Sequence, residues 1–155
     1  MAAVITIYTD GSALGNPGKG GYGVVLISGP HRKELSQGFR RTTNNRMELM
    51  AVCVALEALK FDGSDVTLYS DSKYVVDAVS KGWVFGWERK CFSGKKNPDL
   101  WIRFLRAYRR HNVHFVWVKG HAETVENNRC DALAVAAANG TTLLEDVGYE
   151  GGAEF

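Results

Sequence analysis

"VITIYTDGSALGNPGKGGYG", residues 4–23, is the stretch whose reading decides the fold. A run of β-branched and aromatic residues, the types that favour a strand, extends to Thr9 and ends on Asp10 beside a glycine-crowded segment. Asp-Gly is a common turn dipeptide, so a plain turn is one reading of Asp10. The glycines invite two phosphate-binding readings, and both fail. Gly18, Gly20 and Gly23 have the G-x-G-x-x-G spacing, but "YGVVLIS" follows as a second strand where the dinucleotide motif needs a helix. A Walker-type loop needs Gly-Lys before Ser or Thr and a glycine five places upstream; Lys19 precedes Gly20, and Ala13 stands where the first glycine belongs. What remains is an acid at a strand end, with a flexible connection into a second strand.

Further strands read at about 21–28 and 33–39, joined by "SGPH", and again in "DVTLYSDS" and "VHFVWVKGH". "TTNNRMELMAVCVALEALK" reads as a helix starting near Asn44 or Asn45, with a capping-box spacing from Asn45 to Glu48, and apolar nearly all round from Met47 to Leu59. "SKYVVDAVSKGW" is a short helix, and "NPDLWIRFLRAYRRH" is a helix with Asn97 as N-cap and Pro98 at its first position. Trp101, Phe104, Leu105 and Tyr108 form its apolar stripe. "NNRCDALAVAAANG" is the last helix, ended by Gly140, and the acidic, Gly-Gly-containing stretch from Thr141 reads as loosely attached. The order β-β-β-α-β-α-α-β-α describes an α/β fold with a five-stranded mixed sheet. Its first three strands are antiparallel and helices cover both faces. One domain at 1–148 and a flexible tail at 149–155 are expected.

Composition narrows the class. The chain has 155 residues, 45% of them hydrophobic, enough for one domain with a proper core. No apolar run approaches the ~18 residues of a membrane span, and no signal pattern opens the chain, so a cytoplasmic protein is expected; small size and the absence of an evident spare apolar face point to a monomer. Cys53, Cys91 and Cys130 are too dispersed for a zinc site or a disulfide framework. The net charge of +2 conceals an asymmetry: residues 81–119 hold ten Lys or Arg against Glu88 and Asp99, together with all four tryptophans. Basic residues interleaved with aromatics suit nucleic acid. Trp83, Trp87, Lys95 and Lys96 are the ones that no helical stripe absorbs.

Four carboxylates share a kind of position. Asp10 and Asp71 end strands, Glu48 sits in the first turn of the buried helix, and Asp131 opens the last helix. Singly they pass as a turn former, two caps and a helix-dipole partner. Together they suit one edge of an open sheet, where such folds place ligands. Clustered carboxylates repel unless a cation neutralises them, and an all-oxygen set favours Mg²⁺, with Mn²⁺ as substitute, over zinc. A pair of such ions suits in-line attack at a phosphodiester.

"YTDGSALGNPGKGGYG", "TTNNRMELMA", "SDSKYVV", "NPDLW", "VKGHA" and "NNRCDALA" resemble, in order, the motifs of type 1 ribonuclease H in its bacterial form, across about residues 4–148. The resemblance implies the ribonuclease H-like fold and an endonuclease that cuts the RNA strand of RNA–DNA hybrids, leaving 5′-phosphate and 3′-hydroxyl ends. It assigns two metal ions in the substrate complex to Asp10, Glu48, Asp71 and Asp131, and a turnover role to His121. Minor-groove contacts map onto Gly11, Asn16, Asn45 and Glu48, with Thr43 near a DNA phosphate. The segment at about 80–98 corresponds to a basic protrusion used as a substrate handle, with Trp83, Trp87, Lys95 and Lys96 as contacts. One departure is that Glu123-Thr124-Val125 follows "KGHA" where many relatives have Gly-His-Pro. A DNA integrase, transposase or junction resolvase would use similar acids, but "TTNNRMELMA" and "VKGHA" argue against it. A non-catalytic hybrid-binding module would lack one or more of the acids, and all four are present.

Overall fold

The computed structural model describes residues 3–119 and 124–150. Three antiparallel strands come first: β1 (Val4–Ala13), β2 (Gly18–Ser28) and β3 (His31–Thr42). The buried helix α1 (Asn44–Glu57) leads into β4 (Asp65–Ser70), and α2 (Lys73–Ser80), α3 (Trp83–Arg89) and α4 (Pro98–Tyr108) follow. The chain then runs through β5 (Asn112–Trp117), α5 (Val125–Ala138), β6 (Leu143–Leu144) and α6 (Val147–Glu150). The sheet order is β5-β4-β1-β2-β3-β6, with β4 parallel to β1 and β5, and β6 parallel to β3.

The mixed α/β sheet is the one read from the sequence, with four differences. The first strand does not stop at Asp10 but continues to Ala13, and the second begins at Gly18, so most of the supposed flexible link is strand. Three helices, not two, separate β4 from β5, because Trp83–Arg89 closes a short helix inside the basic segment. A two-residue sixth strand extends the sheet. The stretch from Thr141 to Glu150 is docked: Asp146 is buried, and β6 pairs with Gly38 and Phe39. Residues 151–155 of the expected tail lie outside the described residues.

The β2 glycines are explained by packing. Neighbouring residues on a strand point to opposite faces. A Cβ on Gly20 would meet the Met47 side chain of α1, and one on Gly21 would strike the Ala134 carbonyl of α5 at 2.5 Å. Helices α1 and α5 therefore cover opposite faces of the sheet at this point, and α5 lies close enough that Gly21, Gly23 and Gly38 have no room for a side chain. The inward face of α5 matches, with Cys130, Ala134 and Ala138 buried. Gly20, Gly21 and Gly23 of β2 and Gly38 of β3 thus serve close helix–sheet contact. The core lies between α1 and the sheet and continues under α4, where Trp101 and Phe104 are fully buried. No described helix is long and apolar enough to cross a membrane.

Candidate active site

Strand register brings the first two acids together. Tyr8 of β1 pairs in parallel with Tyr69 of β4. Asp10 and Asp71 each lie two residues further on, so they stand side by side where β4 ends against the middle of β1. Glu48 arrives from α1. Its Oε1 accepts from the Gly11 backbone N–H at 2.7 Å, and that N–H also reaches Asp10 Oδ1 at 2.8 Å. This close approach requires Gly11 to be bare, since a Cβ there would run into the backbone of Met47 and Glu48. The capping-box reading of Glu48 is thereby corrected. The N-cap of α1 is Thr43, whose side chain accepts from Arg46 N at 3.3 Å, and the Glu48 carboxylate faces the sheet edge. Asp71 likewise is not a cap, because Ser72 caps α2.

Ligand oxygens of Asp10, Glu48 and Asp71 lie within 4.8 Å of one another. Burial and then the charge of Asp71 push the Asp10 carboxyl up to about 7, with Asp131 adding to the push. Burial and the neighbouring Asp10 and Asp71 charges hold Glu48 well above the usual carboxylate range. Asp71 Oδ1 is buried without a hydrogen-bond partner. An orphaned carboxylate oxygen inside a ring of mutually repelling acids is the electrostatic condition that a bound cation relieves. The donor set is all oxygen, which fits a hard divalent ion. Asp131 sits in the middle of α5 rather than at its start, half-buried and near enough to raise Asp10, but outside the three-acid cluster. His121 lies outside the described residues.

The remaining residues singled out in the sequence divide into groups. Asn16 Oδ1 accepts from the Asn44 backbone N–H at 3.1 Å, tying the β1–β2 loop to the start of α1, while Asn45 is exposed beside it. On the handle, Trp83 is about half exposed (48%), with the Lys81 ammonium 5.0 Å from its ring centroid. Trp87 is half-buried, packing edge-on against Trp101 on one side and carrying Lys95 at 5.1 Å on the other. The positive surface is smaller than the count of charges suggests: Arg103, Arg109 and Arg110 are paired with Glu57, Glu88 and Asp62.

The family model for RNase H matches residues 2–139. The chain belongs to the ribonuclease H family. It is 55% identical over 150 residues to the ribonuclease H of Syntrophus aciditrophicus, covering 94% of this chain and 86% of that one. Among solved structures it is similar to LC9-RNase H1, a type 1 RNase H, with a TM-score of 0.82 and 32% identity across 100% of this chain and 82% of that one. LC11-RNase H1, solved in complex with an RNA/DNA hybrid, has a TM-score of 0.66 and 28% identity across 87% of this chain and 96% of that one. The chain is thus a ribonuclease H, the enzyme class of hybrid-specific RNA-strand hydrolases read from its motifs.

Sequence reasoning missed one arrangement beside the ribonuclease H acids. Arg46, two residues before Glu48, is buried (2% exposed) and uses all five of its N–H donors. They go to Asp146, Asp99 and Asn97, and the Thr42 hydroxyl adds a fourth partner to the group by donating to Asp146 at 2.6 Å. A lone arginine at the head of an otherwise apolar helix was the available signal; its partners, up to a hundred residues away, gave none.

Proposed function

We propose that this ribonuclease H cleaves the RNA strand of RNA–DNA hybrids at the edge formed by Asp10, Glu48, Asp71 and Asp131, leaving 5′-phosphate and 3′-hydroxyl ends. The observation that carries the reading is the buried cluster of three carboxylates, with Asp71 Oδ1 lacking a partner. Two Mg²⁺ ions, with Mn²⁺ able to replace them, supply the charge that activates water and stabilises the departing 3′-oxygen.

The chain's own residues do the rest. Asp10 and Asp71, fixed by strand register, hold the cation site at one height on the sheet edge. Glu48, held by the Gly11 N–H, closes it from the α1 side. Asp131 completes the acidic edge from α5, and His121 shuttles a proton during turnover. Gly11, Asn16, Thr43 and Asn45 line the start of α1 and the loop beside it, facing the minor groove and a DNA phosphate. Asparagine side chains and backbone groups there can pair with the 2′-hydroxyls that distinguish RNA from DNA. Trp83, Trp87, Lys95 and Lys96 grip backbone phosphates further along the duplex. The enzyme works as a cytoplasmic monomer, folded as one domain that includes the docked segment up to Glu150.

Three labelled duplexes (RNA–DNA, DNA–DNA and RNA–RNA), each with Mg²⁺ or EDTA, test the reading. The expected outcome is Mg²⁺-dependent cutting of the RNA strand of the hybrid alone. Cleavage of the all-DNA duplex, or cleavage that persists in EDTA, overturns it.

A further inference from the structure

Asp71 is the one acid of the three-membered cluster that lies outside a strand or helix. β4 ends at Ser70 and α2 begins at Lys73, so Asp71 sits in the two-residue corner between them. The ladder from β4 to β1 stops at Tyr69 and Tyr8, while the ladder to β5 runs on to Ser70 and Trp117. Trp117, the last residue of β5, is 41% exposed, so core packing does not account for a side chain of that size. Its contacts do. The indole Nε1–H donates to the Asp71 backbone carbonyl at 3.2 Å, and the Lys73 ammonium lies 4.6 Å from the ring centroid. One side chain of β5 therefore grips both ends of the corner, by its nitrogen at Asp71 and by its ring at Lys73. The Val118 N–H adds a bond to the Ser70 carbonyl at 2.9 Å, which keeps the end of β5 alongside.

The corner is under repulsion. The carboxylates of Asp10 and Glu48 crowd Asp71, whose Oδ1 is buried without a hydrogen-bond partner. Asp10 is held within a strand and Glu48 within a helix, whereas the corner has no ladder of its own and yields first. We propose that Trp117 is a positioning residue for the divalent cation. Its indole N–H holds the Asp71 main chain against that repulsion, so the carboxylate stands in place before the ion arrives. The proposal rests on the reading of the acidic edge as the Mg²⁺ site. Groups that orient a ligand carboxylate without touching the ion raise metal affinity, because the ion no longer has to order the ligand itself.

Calorimetric Mg²⁺ binding to the substrate-free protein, with Trp117→Phe and Asp71→Asn as variants, tests it. Trp117→Phe keeps an aromatic ring beside Lys73 and removes the donor. It is expected to raise the Mg²⁺ Kd by roughly three- to tenfold, the worth of one hydrogen bond. Cleavage by this variant should fall at limiting Mg²⁺ and return at saturating Mg²⁺, with KM for the hybrid changed less than about twofold. Asp71→Asn should lose most of the Mg²⁺ binding. Indole proton exchange in the parent, read by NMR in EDTA, needs no variant and keeps the test decisive if Trp117→Phe folds poorly. The Trp117 indole proton should already exchange more slowly there than that of Trp83, a tryptophan of similar exposure at 48%. Exchange as fast as that of Trp83 in EDTA, slowing only with Mg²⁺, makes the bond a consequence of the ion and overturns the proposal. An unchanged Kd in Trp117→Phe, whatever its melting temperature, makes Trp117 purely structural and overturns it while the metal edge stands. If Asp71→Asn binds Mg²⁺ as the parent does, the metal reading of the edge falls and this proposal with it.

Discussion

Asp10 shows how an ordinary turn residue becomes a functional one. Its carboxyl is buried beside Asp71 and Glu48, and the ionised state is disfavoured until a cation shares the site. Asp10→Asn or Asp71→Asn should abolish cleavage while leaving the fold intact. In EDTA each should raise stability by about 1 kcal/mol, since removing one of several crowded charges relieves repulsion at the expense of function. Thermal melts in EDTA check this, and clear destabilisation by both variants refutes the crowding argument. The pH dependence follows from the same shift. In the unfolded chain the Asp10 carboxyl titrates near 3.8, and in the folded chain at about 7, so the folded state holds its proton more tightly. That contribution is fully present below about pH 4 and is lost as pH rises through 7. The metal-free protein should therefore lose stability between about pH 4 and 7, and Asp10→Asn should flatten the loss. Urea midpoints in EDTA across that range, with and without the substitution, decide it.

Helix α5 and strand β2 show a fit between elements that neither could hold alone. Gly23 sits under the Cys130 carbonyl and within 2.7 Å of the Leu133 side chain for any added Cβ, so Gly23→Ala pushes the helix bearing Asp131 away from the sheet. The overpacking should cost about 1–3 kcal/mol, read as a lower urea midpoint with a drop in cleavage. Gly86 in α3 is the opposite case. A Cβ there meets only the Arg89 side chain, at 3.7 Å, and the backbone is helical. Gly86→Ala should stabilise by roughly 0.5–1 kcal/mol, the helix-propensity difference, and raise the melting temperature. A melting temperature below that of the parent refutes the account of α3 as an unstrained helix.

Across the whole molecule, one guanidinium ties the chain's end to its catalytic helix. Arg46 joins α1 to Asp99 at the head of α4 (2.7 and 2.9 Å) and to Asp146 in the closing segment (2.8 and 3.0 Å). Removing one partner of a buried ionic group is far costlier than the group is worth, because the other charges stay buried without compensation. Arg46→Met should destabilise by about 3–5 kcal/mol, with the segment 141–150 losing its amide protection first. Urea unfolding and hydrogen exchange measure both effects, and an unchanged midpoint excludes Arg46 as the tie.

By itself the sequence determined the class of fold, the elements that carry it and the identity of the acids. Alternation marked the strands, an all-round apolar run marked α1, and Pro98 after Asn97 marked the head of α4; each signal depends on neighbours within a turn or a strand's length. Asp10, Asp71 and Glu48 were legible as a candidate cluster because such acids can converge on one edge of an open sheet, and the structure brings their carboxylates together. Only the tertiary structure decided how backbone and charge are shared over distance. Glu48 was freed from capping because Thr43 took that place, the β2 glycines were claimed by α5, and the acidic C-terminal segment was drawn in by Arg46. Such partners lie from 37 to more than a hundred residues apart in the chain. No periodicity in the sequence records them, since they are set by which surfaces come to face each other once the core has closed.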